Sequence, residues 1–172
     1  MAALLGTSAA TLLIGFTSGN EGVALTPYQD KLAHDVWTVC YGDTGVPMRR
    51  YNLGECKELL ATRLADYAGP VRQLTPGFDN LSDGQKVAIV DLVYNIGVQA
   101  YERVPVRDKR GRVIAYRAST IRQLYSRGDF PLACEAFTAY RFSGGRDCAD
   151  PANRCSGLMK RREAERAACL GM

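Results

Sequence analysis

Two carboxylates and a hydroxyl stand close together near the start of this chain. Glu21 and Asp30 bound the run 21 to 30 (Glu-Gly-Val-Ala-Leu-Thr-Pro-Tyr-Gln-Asp), and Thr38 lies within Val-Trp-Thr-Val-Cys-Tyr-Gly, 36 to 42. Hydrolysing a glycosidic bond takes an acid for the leaving oxygen and, across the sugar, a carboxylate that holds or activates water. Glu21 fits the acid. Its proton must be available near neutral pH, which burial against apolar groups or a neighbouring negative charge would favour. Asp30 fits the water-holding carboxylate, and Asp35, three residues before Thr38, competes with it. Thr38 offers a hydroxyl; on propensity alone it is a β-branched strand residue with a cross-strand partner. Trp37 and Tyr41 either stack on sugar faces or fill a core, and His34 sits between the carboxylates and the strand.

Local signals place these groups. Residues 3 to 20 read as a helix ending at Asn20 and Gly22, which puts Glu21 at a helix C-terminus. Residues 36 to 50 read as a hairpin with its turn at Gly42-Asp43-Thr44-Gly45. Asn52 with Glu55, and Ser82 with Gln85, are capping boxes. The first opens a helical stripe (Cys56, Leu60, Leu64, Tyr67) expected to stop at Gly69-Pro70, and the second opens an apolar helix through residues 87 to 96. Residues 104 to 106 and 113 to 116 flank Asp108-Lys109-Arg110-Gly111 as an exposed hairpin. Ser119 can cap a helix to Arg127, Asp129 with Pro131 starts another that ends before Gly144-Gly145, and Ser156 can cap the last. Arg161 lies four residues before Glu165, so Arg161 and Arg162 read as partners of helix acids.

A chain of 172 residues with 47% hydrophobic and 23% charged residues fits one globular domain. Its net charge of +4 suits anionic partners, but no nucleic-acid motif is present, so nucleic acid is excluded. Residues 101 to 117 carry six basic and two acidic side chains, an excess equal to the chain's whole net charge. Six cysteines without a Cys-x-x-Cys pair, beside one histidine, argue against a metal site and for disulfides in an oxidising compartment. Cys148 and Cys155 flank a short polar loop and form the simplest pair.

The segment from 21 to 42 resembles the phage-type lysozymes of glycoside hydrolase family 24, in particular the lambdoid endolysins. Val-Tyr-Asn-Ile-Gly (93 to 97), Ser-Thr-Ile (119 to 121), Ser-Gly-Gly-Arg (143 to 146) and Gly-Leu-Met-Lys-Arg-Arg-Glu-Ala-Glu-Arg (157 to 166) extend the resemblance over residues 20 to 170. Residues 103 to 117 look like an insertion, and the stretch between Asp30 and Thr38 looks about two residues longer than usual. The resemblance implies Glu21 as acid, Asp30 as the water-holding carboxylate and Thr38 as the residue that orients the water. It also implies disulfides Cys40–Cys56 and Cys134–Cys169. Trp37, Tyr41, Ser119, Arg141 and Arg146 are the candidates to line the saccharide cleft. Asn95 reads as a residue that precedes a helix-ending glycine.

The expected fold is α+β, mainly helical and lysozyme-like, with a small N-terminal β-hairpin lobe and a cleft between lobes. The expected organisation is a weakly hydrophobic helix over 1 to 19 and a catalytic domain over 20 to 172. The implied function is an endolysin, a muramidase that cleaves the β-1,4 bond between N-acetylmuramic acid and N-acetylglucosamine without metal or cofactor. The alternatives are a lytic transglycosylase or a non-catalytic wall- or membrane-binding protein of the same fold. Peptidoglycan is the expected partner, the periplasm the expected location and a monomer the expected state. Residues 2 to 16 carry no charge but are diluted by Gly, Ser, Thr and Ala, and they lack the basic start of a signal peptide. By resemblance, they form a signal-arrest-release segment that holds the enzyme transiently at the inner membrane.

Overall fold

The computed structural model describes residues 1–31 and 35–172, so His34 lies outside the described residues. The N-terminal helix comes in two pieces, α1 (Ala2–Leu5) and α2 (Thr7–Asn20), rather than one. The break is at Gly6, whose φ of 89° lies in a region open to glycine and strained for other residues. Leu5, Ala9, Ala10, Leu13 and Thr17 are buried, which is the i, i+4 stripe of a helix docked on a core.

The small lobe pairs differently from the expected 36-to-50 hairpin. Strand β2 (Val36–Cys40) runs antiparallel to β1 (Ala24–Asp30), with Asp30 opposite Val36 and Tyr28 opposite Thr38. Residues 46 to 50 form no strand; Tyr51 N–H instead donates to the Leu25 carbonyl (2.9 Å). Pro27 concealed β1 in the sequence. It sits where the register shifts between Ala24 and Tyr28, a place where a strand tolerates a missing N–H.

Helix α3 (Leu53–Leu74) begins with the predicted Asn52/Glu55 capping box but runs straight through Pro70. Pro70 forfeits one backbone bond, yet Ala68 and Val71 on either side are fully buried, and that packing carries the helix on. Helix α4 (Asp83–Ile96) starts at the Ser82/Gln85 box and is the central element, buried along 87 to 93 and packed by α2, α3 and α8 (Ser156–Leu170). Gly84 permits the α4–α8 approach: a Cβ there would fall 2.1 Å from the Ala168 carbonyl oxygen. Short α5 (Val98–Glu102) leads into the exposed hairpin of β3 (Val104–Arg107) and β4 (Val113–Arg117).

Ser119 caps α6 (Thr120–Ser126), and Asp129 caps α7 (Phe130–Glu135). Gly144 and Gly145 turn a two-residue hairpin, β5 (Phe142–Ser143) with β6 (Arg146–Asp147). Helix α8 starts with Ser156 as its first residue, after Cys155, so Ser156 is not its side-chain cap. The fold is thus mixed and mainly helical, with small antiparallel strand pairs.

All three cysteine pairs are bonded: Cys40–Cys56, Cys134–Cys169 and Cys148–Cys155. The first ties the small lobe to α3. The second closes 35 residues of chain, the third only 7. In the chain-entropy picture the Cys134–Cys169 bond therefore stabilises more than the local one.

Candidate active site

Glu21 is the residue just past α2, and its N–H closes the helix on the Thr17 carbonyl (3.0 Å). Its side chain is 29% exposed. Glu21 and Asp30 line one cleft of about 440 Å³, with Gly22, Tyr28 and Tyr41. Two segments far apart in role, a helix end and the end of a strand, thus bring both predicted carboxylates to one cavity. Asp35 does not line it.

The other predicted residues divide. Tyr41 is largely buried but presents an edge to the cleft. Thr38 is buried in the strand pair opposite Tyr28 and does not itself line the cleft; its hydroxyl donates to the Val36 carbonyl (3.1 Å). Trp37 is half exposed and lies off the cleft, so it is neither core nor a cleft wall. Ser119 is fully buried and caps α6, so it does not line a saccharide site. Arg141 pairs with Asp147 (3.1 Å) on the β5–β6 hairpin and Arg146 lies on the same hairpin; neither lines the Glu21 cleft. Asn95 is the penultimate residue of α4, before Gly97 ends the helix, as expected.

The largest departure concerns what surrounds Glu21. The sequence suggests apolar burial; the structure supplies a cation. Arg161 Nη1 lies 2.5 Å from Glu21 Oε1. The same guanidinium grips Asp91 with two bonds of 2.9 Å, from Nε and Nη2. The Thr17 hydroxyl donates to Asp91 Oδ1 (2.7 Å). Thr17, Asp91 and Arg161 are all buried, so this chain of contacts runs from α2 through α4 and α8 to the catalytic candidate. Burial opposes the Arg161 charge, but the Asp91 and Glu21 carboxylates outweigh it and hold the guanidinium above the ordinary arginine range.

Arg162 meets Glu165 (2.5 Å), and Arg161 lies 3.6 Å from the same carboxyl, so the expected pairing with Glu165 is present. What the sequence missed is that Arg161 also serves Glu21 and Asp91. Burial pushes the Glu165 carboxyl up to about 9 against the pull of Arg162, and the nearby Asp91 charge acts in the same direction. Burial likewise pulls Arg162 down. Tyr94, packed near both Arg63 and Arg161, is pushed up to about 12, chiefly by burial.

One signal for this network was present in the sequence. Asp91 is the lone charge within an otherwise apolar stretch, Val87-Ala88-Ile89-Val90-Asp91-Leu92-Val93. A charge buried on such a helix needs a partner.

A model of the phage lysozyme family matches residues 18–165. The chain belongs to the phage lysozyme family. The SAR-endolysin of Enterobacteria phage P21 is 33% identical over 168 residues, covering 94% of this chain and 86% of that protein. The SAR-endolysin of Escherichia phage Mu is 30% identical over 149 residues, covering 86% and 72%. The crystal structure of the active form of P1 phage endolysin Lyz superposes with a TM-score of 0.73 at 22% identity, covering 99% of this chain and 90% of that one. The secreted inactive form of the same endolysin gives 0.57 at 20% identity, covering 96% and 95%.

Proposed function

We propose that this chain is an endolysin, a glycoside hydrolase that cleaves the β-1,4 bond between N-acetylmuramic acid and N-acetylglucosamine in peptidoglycan. The observation that carries this reading is the shared cleft of Glu21 and Asp30 in a member of the phage lysozyme family. Glu21 gives its proton to the glycosidic oxygen as the bond to the anomeric carbon breaks. Arg161 holds Oε1, which leaves Oε2 to carry that proton. Asp30 takes a proton from water as the water attacks the anomeric carbon from the opposite face, inverting it. Thr38, opposite the cleft residue Tyr28 in the strand pair, orients that water on this reading: its hydroxyl donates to Val36, which leaves its oxygen lone pairs to accept. The enzyme acts as a monomer on this reading.

Product analysis tests it. Digested peptidoglycan should carry new reducing ends. Anhydro ends would instead mean a transglycosylase, and wall binding without soluble fragments a non-catalytic protein.

Its relatives are SAR-endolysins, which supports export through the membrane to the periplasm. The finer part of the proposal is that residues 1 to 19 tether the enzyme to the inner membrane before release. In the folded state no described helix is long and apolar enough to cross a membrane. Straightened at Gly6, residues 2 to 20 would form one helix of about 28 Å, close to the ~30 Å hydrocarbon core. A bilayer favours that straightening because it leaves no backbone group unpaired. Withdrawing α2 would also remove Thr17 from Asp91 and disturb the start of the chain of contacts to Glu21. Fractionation of the full-length protein, with the cell membrane energised and then collapsed, tests the tether. Membrane association that is lost on collapse is expected. A wholly soluble and lytic protein in both states overturns it.

A further inference from the structure

The β3–β4 hairpin has no part in the site described above, yet it concentrates the charge of the chain. Residues 101 to 117 hold six basic and two acidic residues, whereas the remainder holds sixteen of each sign. The hairpin stands on α5 with Val104 and Val106 half buried beneath it, while every residue of β4 is exposed. Cross-strand register puts Pro105 opposite Tyr116 on the outward face, one residue on from the Val104–Arg117 pair. Ile114 and Tyr116 there are 64% and 58% exposed. The Arg103 guanidinium lies 4.9 Å from the Tyr116 ring centroid, bringing a cation to the edge of this apolar face.

The turn is rigid. Asp108 accepts from the N–H groups of Arg110 (2.8 Å) and Arg112 (3.0 Å) and is ion-paired with Arg112 (2.8 Å). Its carboxyl is accordingly held below the usual range, first by the Arg112 N–H. The principal acid of the tip is therefore engaged within the turn, while Lys109 and Arg110 project beside it, exposed.

We infer that this hairpin is a docking surface for an anionic phospholipid bilayer. Aliphatic and aromatic side chains flanked by arginine and lysine match the acyl–headgroup boundary, where apolar tips enter and cations meet phosphate. A hydrated anionic polymer such as nucleic acid or a wall glycan would use the cations but would gain nothing from the exposed aliphatic Ile114. The surface is separate from the proposed N-terminal tether, which has no charge in residues 2 to 16.

That difference makes the two separable. Sedimentation of the full-length protein with vesicles of phosphatidylcholine alone, or with phosphatidylglycerol in equal part, reads the binding. Association that depends on phosphatidylglycerol and weakens with salt is expected. Each cation near an anionic surface contributes about fivefold, so Lys109→Gln with Arg110→Gln should weaken it roughly 25-fold. Ile114→Ser should weaken it severalfold without any change of charge. Both variants should keep wild-type muralytic activity, which reports their folding. Binding by the uncharged tether alone would show no preference for phosphatidylglycerol and no response to the hairpin substitutions, and that result overturns the proposal. So does a loss of binding to isolated wall, but not to vesicles, in the same variants.

Discussion

Glu21→Gln is expected to remove wall lysis, lowering the turnover rate by ~10²- to 10⁴-fold, while the protein stays folded. The amide keeps the shape of the carboxyl but cannot deliver a proton to a leaving oxygen. It also keeps an oxygen for Arg161, which remains anchored on Asp91 through two further bonds, so the buried contacts beneath the cleft persist. A loss beyond that range means that Glu21 also stabilises charge in the transition state. Asp30→Asn should be similarly severe, because Asp30 shares the cleft; Asp35→Asn should be mild, because Asp35 does not line it. A turbidity-clearing assay on the three purified variants, with thermal unfolding as control, decides this. A severe Asp35→Asn beside a mild Asp30→Asn would give the water-holding role to Asp35 instead.

The parts of this molecule that were legible in the sequence are those fixed by near neighbours. The Asn52/Glu55 and Ser82/Gln85 caps each span three residues, and both helices start where the caps place them. The apolar run of α4 named the core, and the basic hairpin with its Asp-Lys-Arg-Gly turn was read correctly. What failed depends on partners distant in the chain. Strand β1 was not expected: it holds Pro27, a poor strand residue, which the register shift against β2 accommodates. Pro70 argued for a helix end, but the burial of Ala68 and Val71 overrode it. Gly6 broke a helix that composition alone made continuous. That Glu21 and Asp30 are the candidate carboxylates was legible from residue type and spacing together with a family resemblance, and the two do share one cleft. Their supporting groups were not legible, because Asp91 reaches Arg161 across 70 residues and Thr17 across 74. Local pairing correctly joined Arg161 to Glu165 and thereby concealed its second role.

That second role predicts the largest effect on stability. Asp91 is 0% exposed and holds a nearly buried guanidinium with two bonds, so Asp91→Ala leaves Arg161 in the interior with only Glu21 and the more distant Glu165 beside it. Breaking one side of a buried pair of this kind costs about 3–5 kcal/mol. For a domain of this size that lowers Tm by roughly 10 °C. The Thr17 hydroxyl loses its acceptor at the same time, which loosens α2 on α4. Replacing both partners, Asp91→Leu with Arg161→Met, should recover much of the stability, since an apolar pair of similar volume avoids burying charge. It should not recover lysis, because Glu21 then lacks the guanidinium that fixes Oε1. Thermal unfolding and wall-clearing rates of the two single variants and the double variant measure the two effects separately. A double variant that is both stable and fully lytic would show that Arg161 serves the fold alone. A split between restored stability and absent activity would make Arg161 the positioning residue for the acid.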